Sequence, residues 1–391
     1  MDYPLNKVQV LDLTHELSGP FCTMLLADLG ATVTKIERPI RGDGTRQWGT
    51  LLDAAFIALN RNKRSVTVNL ADPSGREIIY KLVRKSDVLV ENFSPGTMEK
   101  LGLEYGKISE IKPDIIYCSL RGFSSDGPYG NRPAWDPVVQ AMSGIMSITG
   151  EPEGSPVRAG PSIVDITTGI YGALAIVSSL YEKSQGGGGK QIEVPMLASA
   201  LSLVADRIAL YSITGVLPQR LGSGHPAFEP YRVFKTKDGY VFIGCSNDGY
   251  WETFCKAMDI EMLMGDTRFR TNDLRLKNRV ELKELIEQTL AKYTTKEILE
   301  RIGETGIPHS PVNTFEQLTQ DPHVLACSLI QDLTYHDGRG TKQLPSPIKL
   351  GGQRLEIKRQ APPLGQETEE TLLDLGYTRK DIKRFRELKA I

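Results

Sequence analysis

The chain has 391 residues, 40% of them hydrophobic and 24% charged, with a formal net charge of −1. That length exceeds one ordinary hydrophobic core, so two domains or one large discontinuous domain are expected. A near-zero balance with no long run of one sign excludes the basic footprint of a nucleic-acid binder or of a protein held on an anionic membrane surface.

The opening reads as a β-α-β unit. "KVQVLDLT" is a strand, "SGPFCTMLLADLG" a helix with Ser18 as N-cap and Gly30 after its end, and "ATVTKIER" a second strand. The alternation continues through the strand "SVTVNLA", the helix "SGREIIYKLVRKS", the strand "DVLVENF", the short helices "PGTMEKLGL" and "YGKISEIKP", and the strand "DIIYCSLRGF". Strands alternating with helices predict a parallel sheet covered on both faces, because parallel strands need crossovers. The fold class is therefore α/β, with a doubly wound, mostly parallel, Rossmann-like sheet. A helix over 166–183, the strand "IEVPML" and a long helix "ASALSLVADRIALYSITG" follow. Beyond the Gly- and Pro-rich "LPQRLGSGHPAFEP", "YRVFKTKDGYVFIGCS" reads as a hairpin, helices run to about 325, and "IPHSPVNT" reads as a Pro-punctuated connection. We expect a large domain of 1–225 with 326–391 and a smaller α+β domain of 226–325.

Five cysteines without a CxxC pair suggest reduced thiols, and five histidines without HExxH spacing suggest no metal site. With no signal-like N-terminus and no uninterrupted apolar run of membrane-spanning length, a cytoplasmic protein with no membrane contact is expected. "GGGGK" at 186–190 is not a phosphate loop. Ser184 stands where the first glycine should be, Gln191 replaces the final Ser or Thr, and the stretch joins a helix to a strand rather than the reverse. The β-α-β opening carries only Gly19 in "THELSGP", short of the dinucleotide fingerprint. Arg38, at the end of the second strand, suits a ribose phosphate better than free ribose hydroxyls, as in NADP or coenzyme A. A nucleotide-binding oxidoreductase stays open on these grounds. "GPSIVDITTG", 160–169, sets Asp165 at the head of an apolar helix, where it reads as an N-cap or as a reactive carboxylate.

The blocks "VLDLTHELSGPFCTMLLADLGATVTKIERP", "GDGTRQWG", "LNRNKRSVTVNL", "VLVENFSPGTMEKLGL", "GPSIVDITTG" and "PPLGQET" resemble, in this order, the class III coenzyme A-transferases, the CaiB/BaiF and formyl-CoA transferase-like family. The resemblance implies that Asp165 is the catalytic aspartate. It implies coenzyme A contacts from His15, Leu17, Ser18, Arg38, Val68, Ala71, Asn92, Phe93 and Lys100. Ala71 lacks the lysine often found there, and Leu17 replaces a glutamine of formyl-CoA transferase, so this chain departs from that enzyme. In the related 2-methylacyl-CoA racemases a His-Asp pair stands where this chain has Trp135-Asp136. An indole cannot exchange an α-proton, which weakens the racemase alternative.

Trp48 and Trp135, with Asp136, are expected to wall the acyl or acid pocket. Arg46, Arg132 and Arg158 are candidates for holding a distal carboxylate. The implied reaction needs no metal and no permanently bound cofactor: coenzyme A arrives as an acyl-CoA substrate, with succinyl-CoA as candidate donor, and leaves on a small carboxylic acid. Backbone N–H groups at the start of the Asp165 helix are expected to stabilise developing oxyanions. Family likeness also implies an interlocked homodimer.

Overall fold

The computed structural model describes residues 3–48 and 53–391. Its chain divides into two units, one of Met1–Ile145, Arg158–Gly215 and Ser328–Ile391, the other of Met146–Val157 and Val216–Cys327.

The first unit is built on six parallel strands: β1 (Gln9–Asp12), β2 (Thr32–Glu37), β3 (Lys63–Thr67), β4 (Val88–Glu91), β5 (Ile116–Arg121) and β6 (Lys190–Pro195). Their order is β3-β2-β1-β4-β5-β6, every neighbour parallel. Period-two alternation sends Val10, Val88, Val90, Ile116 and Cys118 to one face and Leu11, Leu89 and Tyr117 to the other. Both faces are apolar because both are covered, as a parallel sheet demands.

Besides the C-terminal helices Thr368–Asp374 and Arg379–Glu387, this unit has α1 (Ser18–Asp28), α2 (Ala54–Leu59), α3 (Pro73–Arg84), α4 (Thr97–Leu101), α5 (Tyr105–Ile111), α6 (Asp136–Met142), α7 (Ile145–Ile148, which runs into the second unit), α8 (Ile163–Ser184), α9 (Met196–Ser202) and α10 (Ala205–Thr214). Cys22, Leu26 and Ala27 of α1 and Ala173 and Ile176 of α8 fill one core. Ile78, Ile79, Leu82 and Val83 of α3, Ile108 of α5 and the C-terminal Leu372 and Ile382 fill the other. Asp72 starts α3 by accepting from Ser74 and Gly75 N–H, with Pro73 at the first turn.

The contact of α8 with α1 explains two glycines. A Cβ on Gly169 would lie 2.8 Å from the Ser18 carbonyl oxygen, and one on Gly172 would lie 3.0 Å from Cys22 Sγ. With no side chains in the way, the two helix backbones come close and Asp165 is brought beside the start of α1. By length and composition α8 would suffice to cross a bilayer, which the reading of uninterrupted apolar runs did not register; here it packs on α1 and β5. The expected long helix after β6 is two helices, α9 and α10, bent by 68°.

In the second unit, Tyr231–Lys235 and Tyr240–Gly244 form the expected hairpin. His309–Pro311, read as a connection, pairs as a third antiparallel strand. Residues 146–157, 216–225 and 326–327, placed in the large domain from sequence, belong to this unit. The tie is local: Gly222 N–H donates to the Gly150 carbonyl at 2.9 Å, and the Arg220 guanidinium reaches the carbonyls of Ser147 and Glu151.

Candidate active site

Strand order reverses between β1 and β4, and a crevice opens beyond their carboxyl ends, where open α/β sheets receive ligands. The cavity there has a volume of about 620 Å³. Its walls come from the turn after β1 (His15, Glu16, Leu17, Ser18), the turn after β4 (Asn92, Phe93), Trp48, the 130–137 segment and Asp165.

The two turns brace each other. His15 N–H donates to Asn92 Oδ1 at 2.9 Å and Asn92 Nδ2 donates to the His15 carbonyl at 2.8 Å, while the His15 and Phe93 rings pack with centroids 5.0 Å apart. Burial holds the His15 pKa below its ordinary value, despite the nearby Asp43. Beneath the turn lies a closed ionic lattice. Asp12 accepts from Thr14 N–H and hydroxyl, from Thr23 and from Lys63 Nζ at 3.1 Å. Lys63 also donates to the Pro20 carbonyl, and Lys35 bridges the Thr14 carbonyl at 2.7 Å and Asp43 at 2.8 Å. Burial opposes ionisation of Asp12, but Lys63 and Lys35 outweigh it and hold its pKa below the usual carboxylate value.

Asp165 is not the cap of its helix. It is the third residue of α8, and the cap is a distant carboxylate: Asp136 Oδ2 accepts from Val164 N–H at 2.8 Å and from Asp165 N–H at 3.3 Å. The other oxygen of Asp136 accepts from Gln140 Nε2, whose carbonyl in turn accepts from Ala159 N–H. The Asp165 side chain, released from capping, is half-buried in the cavity wall with the Ser18 hydroxyl as hydrogen-bond partner and no paired cation among the described residues. Burial, then the charge of Asp136, pushes its pKa up to about 7. The expected oxyanion donors are spent: Val164 and Asp165 N–H go to Asp136, and Ile166 N–H to the Ser162 carbonyl. Ser18, read as an N-cap, is instead the first residue of α1, after Leu17 at the cap position, and its hydroxyl pairs with Asp165.

His15, Leu17, Ser18, Asn92, Phe93, Trp48, Trp135, Asp136 and Asp165 thus meet at one cavity. Trp135 is 77% exposed at its edge, while Asp136 is buried. Arg38 and Lys100 are exposed and do not line the cavity, although the Arg38 charge acts on His15. Val68 packs in the core with its N–H on the Glu37 carbonyl, and exposed Ala71 donates its N–H to Asn69. Neither lines the cavity.

Of the three arginines, Arg46 is committed: it bonds both oxygens of Glu37 at 2.7 and 2.8 Å and lies over Phe56. Arg158 does not line the cavity, whereas Arg132 does, over the Tyr129 ring. Sequence reasoning passed over Glu16, Gln140 and the Asp12–Lys63–Lys35–Asp43 lattice. The signal was present as charges inside the apolar strand patterns "VLDLT", "VTKIE" and "NKRSV".

The profile of CoA-transferase family III matches residues 5–368. The chain belongs to that family. It is 38% identical over 377 residues to the human succinyl-CoA:glutarate CoA-transferase, covering 95% of this chain and 86% of that one. It is 36% identical to the succinate–glutarate CoA-transferase of Agrobacterium fabrum, covering 95% and 96%. The crystal structure of a CaiB/BaiF family protein from Brucella suis superposes with a TM-score of 0.88 at 34% identity, covering 96% and 100%. As a family III member the chain is an enzyme that transfers coenzyme A, with an acyl-CoA as substrate.

Proposed function

We propose that this family III enzyme moves coenzyme A from succinyl-CoA to a small dicarboxylic acid, with Asp165 as nucleophile. The observation that carries the reading is a carboxylate with no cation paired to it among the described residues, in the cavity wall at the sheet's switch point, its capping duty taken over by Asp136. The donor and the class of acceptor follow the substrates named for the relatives.

Asp165 attacks the thioester carbonyl carbon. The carbon–sulfur bond breaks, leaving an acyl-aspartyl anhydride and the coenzyme A thiolate. The thiolate attacks the aspartyl carbonyl, the anhydride carbon–oxygen bond breaks, and the donor acid leaves as its carboxylate. An acceptor carboxylate then attacks the aspartyl thioester, freeing the thiolate, which takes the acceptor acyl group and restores Asp165. Protons balance at every step, and one difficult exchange becomes four easier ones.

His15, Leu17, Ser18, Asn92 and Phe93 would hold the thioester arm, Arg38 and Lys100 the phosphates, and the chain near Val68 and Ala71 the nucleotide's edge. Trp48 and Trp135 would wall the acid site, and Arg132 would meet a distal carboxylate. Tethering the thiolate through these contacts keeps it beside the anhydride at high effective concentration. Ile170, Leu174 and Tyr181 of α8 and Tyr211 and Ile213 of α10 are exposed apolar residues, which supports a homodimer that covers them.

The test is mass spectrometry of the protein incubated with succinyl-CoA and quenched with hydroxylamine or borohydride. A hydroxamate or a reduced side chain at Asp165 is expected. An unmodified Asp165 with coenzyme A demonstrably bound overturns the aspartyl route.

A further inference from the structure

Glu16 lines the cavity, yet the transfer steps above make no use of it. Its backbone lies at φ +64°, a left-handed conformation that costs a non-glycine residue energy and persists only when its surroundings enforce it. The enforcement is visible. Glu16 N–H donates to Asp43 Oδ1 at 3.3 Å, and Asp43 is itself fixed by Lys35 and by Thr45. In its present position the carboxylate occupies the space beside Gly44, where a Cβ would collide with Glu16 Oε1 and displace it. The Trp48 side chain donates a hydrogen bond to the carboxylate, and no cation is paired with it among the described residues. Its charge is felt at Asp165. A strained backbone, a vacated Cβ position and an aromatic donor together present one carboxylate to the cavity that holds the nucleophile.

A carboxylate offers about four acceptor positions, of which Trp48 fills one. Those that remain suit a donor group and repel another carboxylate. We propose that Glu16 is a specificity-determining residue that accepts a hydrogen bond from a donor group on the acceptor acid, a hydroxyl or an ammonium, and disfavours acids lacking one. This rests on the reading that the acid binds in the Asp165 cavity. A site built to bond a substrate donor discriminates strongly against the analogue without it, because its own polar group is then left desolvated and unpaired.

The experiment offers succinyl-CoA with glutarate, 2-hydroxyglutarate, 3-hydroxyglutarate or glutamate as acceptors. It compares the parent with Glu16→Gln, which keeps shape and one acceptor, and with Gly44→Ala, which displaces the carboxylate. Expected is at least a tenfold preference in kcat/KM for a hydroxylated or amino acid over glutarate, reduced about tenfold in both variants. Preference for the hydroxy acids assigns a hydroxyl, and preference for glutamate an ammonium. Equal use of the acids by the parent, a preference for glutarate, or a preference unchanged in both variants overturns the inference while leaving coenzyme A transfer standing. Failure to label Asp165 with succinyl-CoA and to transfer to any acid removes the underlying reading, and the inference with it.

Discussion

Asp136 and Asp165 share one helix end without sharing its duty. Asp136, fully inside the protein, accepts the N–H of Asp165 at 3.3 Å and that of Val164 at 2.8 Å, so the side chain of Asp165 is free to face the cavity. The arrangement also sets two carboxylates near each other, which raises the proton affinity of Asp165, the proposed nucleophile.

Asp136→Asn keeps an oxygen for the helix N–H groups and removes the charge. Without that charge the Asp165 carboxyl should ionise at lower pH. In the parent, kcat/KM is expected to rise with pH toward a plateau above about 7, and in Asp136→Asn the rise should move to lower pH. A more weakly basic nucleophile should also lower the plateau. A pH–rate profile with succinyl-CoA checks both, whereas a purely structural cap would leave the midpoint in place. Asp136→Ala should add the loss of a cap, about 0.5–2 kcal/mol in thermal or denaturant unfolding.

Asp165→Asn should lose turnover by about 10³-fold or more, as expected when a group acting in bond-making is removed, while coenzyme A binding by calorimetry is retained. It should also be more stable than the parent. The folded-state pKa of about 7 lies above the 3.8 of the free side chain, so the fold favours the neutral acid. The favourable contribution is complete below 3.8 and is lost as pH rises through about 7. Above that, the parent carries an ionised, half-buried carboxylate that asparagine does not. A gain of ~1–3 kcal/mol at alkaline pH, vanishing in acid, is the expected outcome of denaturant titrations at the two extremes.

The parallel sheet was legible because short apolar runs alternate with helical segments, and β1 to β6 each overlap one of those runs, β3 starting two residues earlier and ending four residues earlier than expected. Asp165 was legible as a residue but ambiguous as a role. The residue that takes the capping duty from it, Asp136, lies 29 positions earlier in the chain. Tertiary capping leaves no local pattern. The edge strand His309–Pro311 was missed for a similar reason, since two residues of its short span, His309 and Ser310, carry no strand propensity and their pairing with Phe242 and Ile243 is set elsewhere. Arg46 looked available because its partner Glu37 sits on another element.

Gly169→Val tests whether the closeness of α8 to α1 positions the nucleophile. The new side chain would meet the Ser18 carbonyl and the Cys22 N–H, backbone groups that cannot yield without moving α1. Overpacking of this kind costs about 1–3 kcal/mol, and parting the helices should also draw Asp165 from Ser18. The expected result is a fall in kcat larger than the change in KM for the acyl-CoA. Gly172→Ala, whose Cβ would meet the more adaptable Cys22 Sγ and Leu120 Cδ2, should be milder in both stability and rate.

The lattice under the β1–α1 turn sets a last expectation. Lys63 is fully buried, and its burial pulls the pKa down to about 8 although Asp12 opposes the fall. Lys63→Met would leave Asp12 facing only Lys35 and would strip a donor from the Pro20 carbonyl and from Asn60 Oδ1. Breaking a buried pair from one side costs about 3–5 kcal/mol, because the remaining charge has no water to replace its partner. Asp12→Asn alone should cost a similar amount, and it also takes the acceptor from either Thr14 or Thr23, since asparagine keeps one of the two oxygens. The double variant removes both charges, so its loss should be smaller than the sum of the singles, a coupling that a double-mutant cycle in urea reads directly. Since Thr14 and Pro20 bracket the turn that carries His15 to Ser18, the singles should also weaken coenzyme A binding, and the double variant should recover part of it. Additive losses in stability and in binding would show that the two charges act on the turn independently.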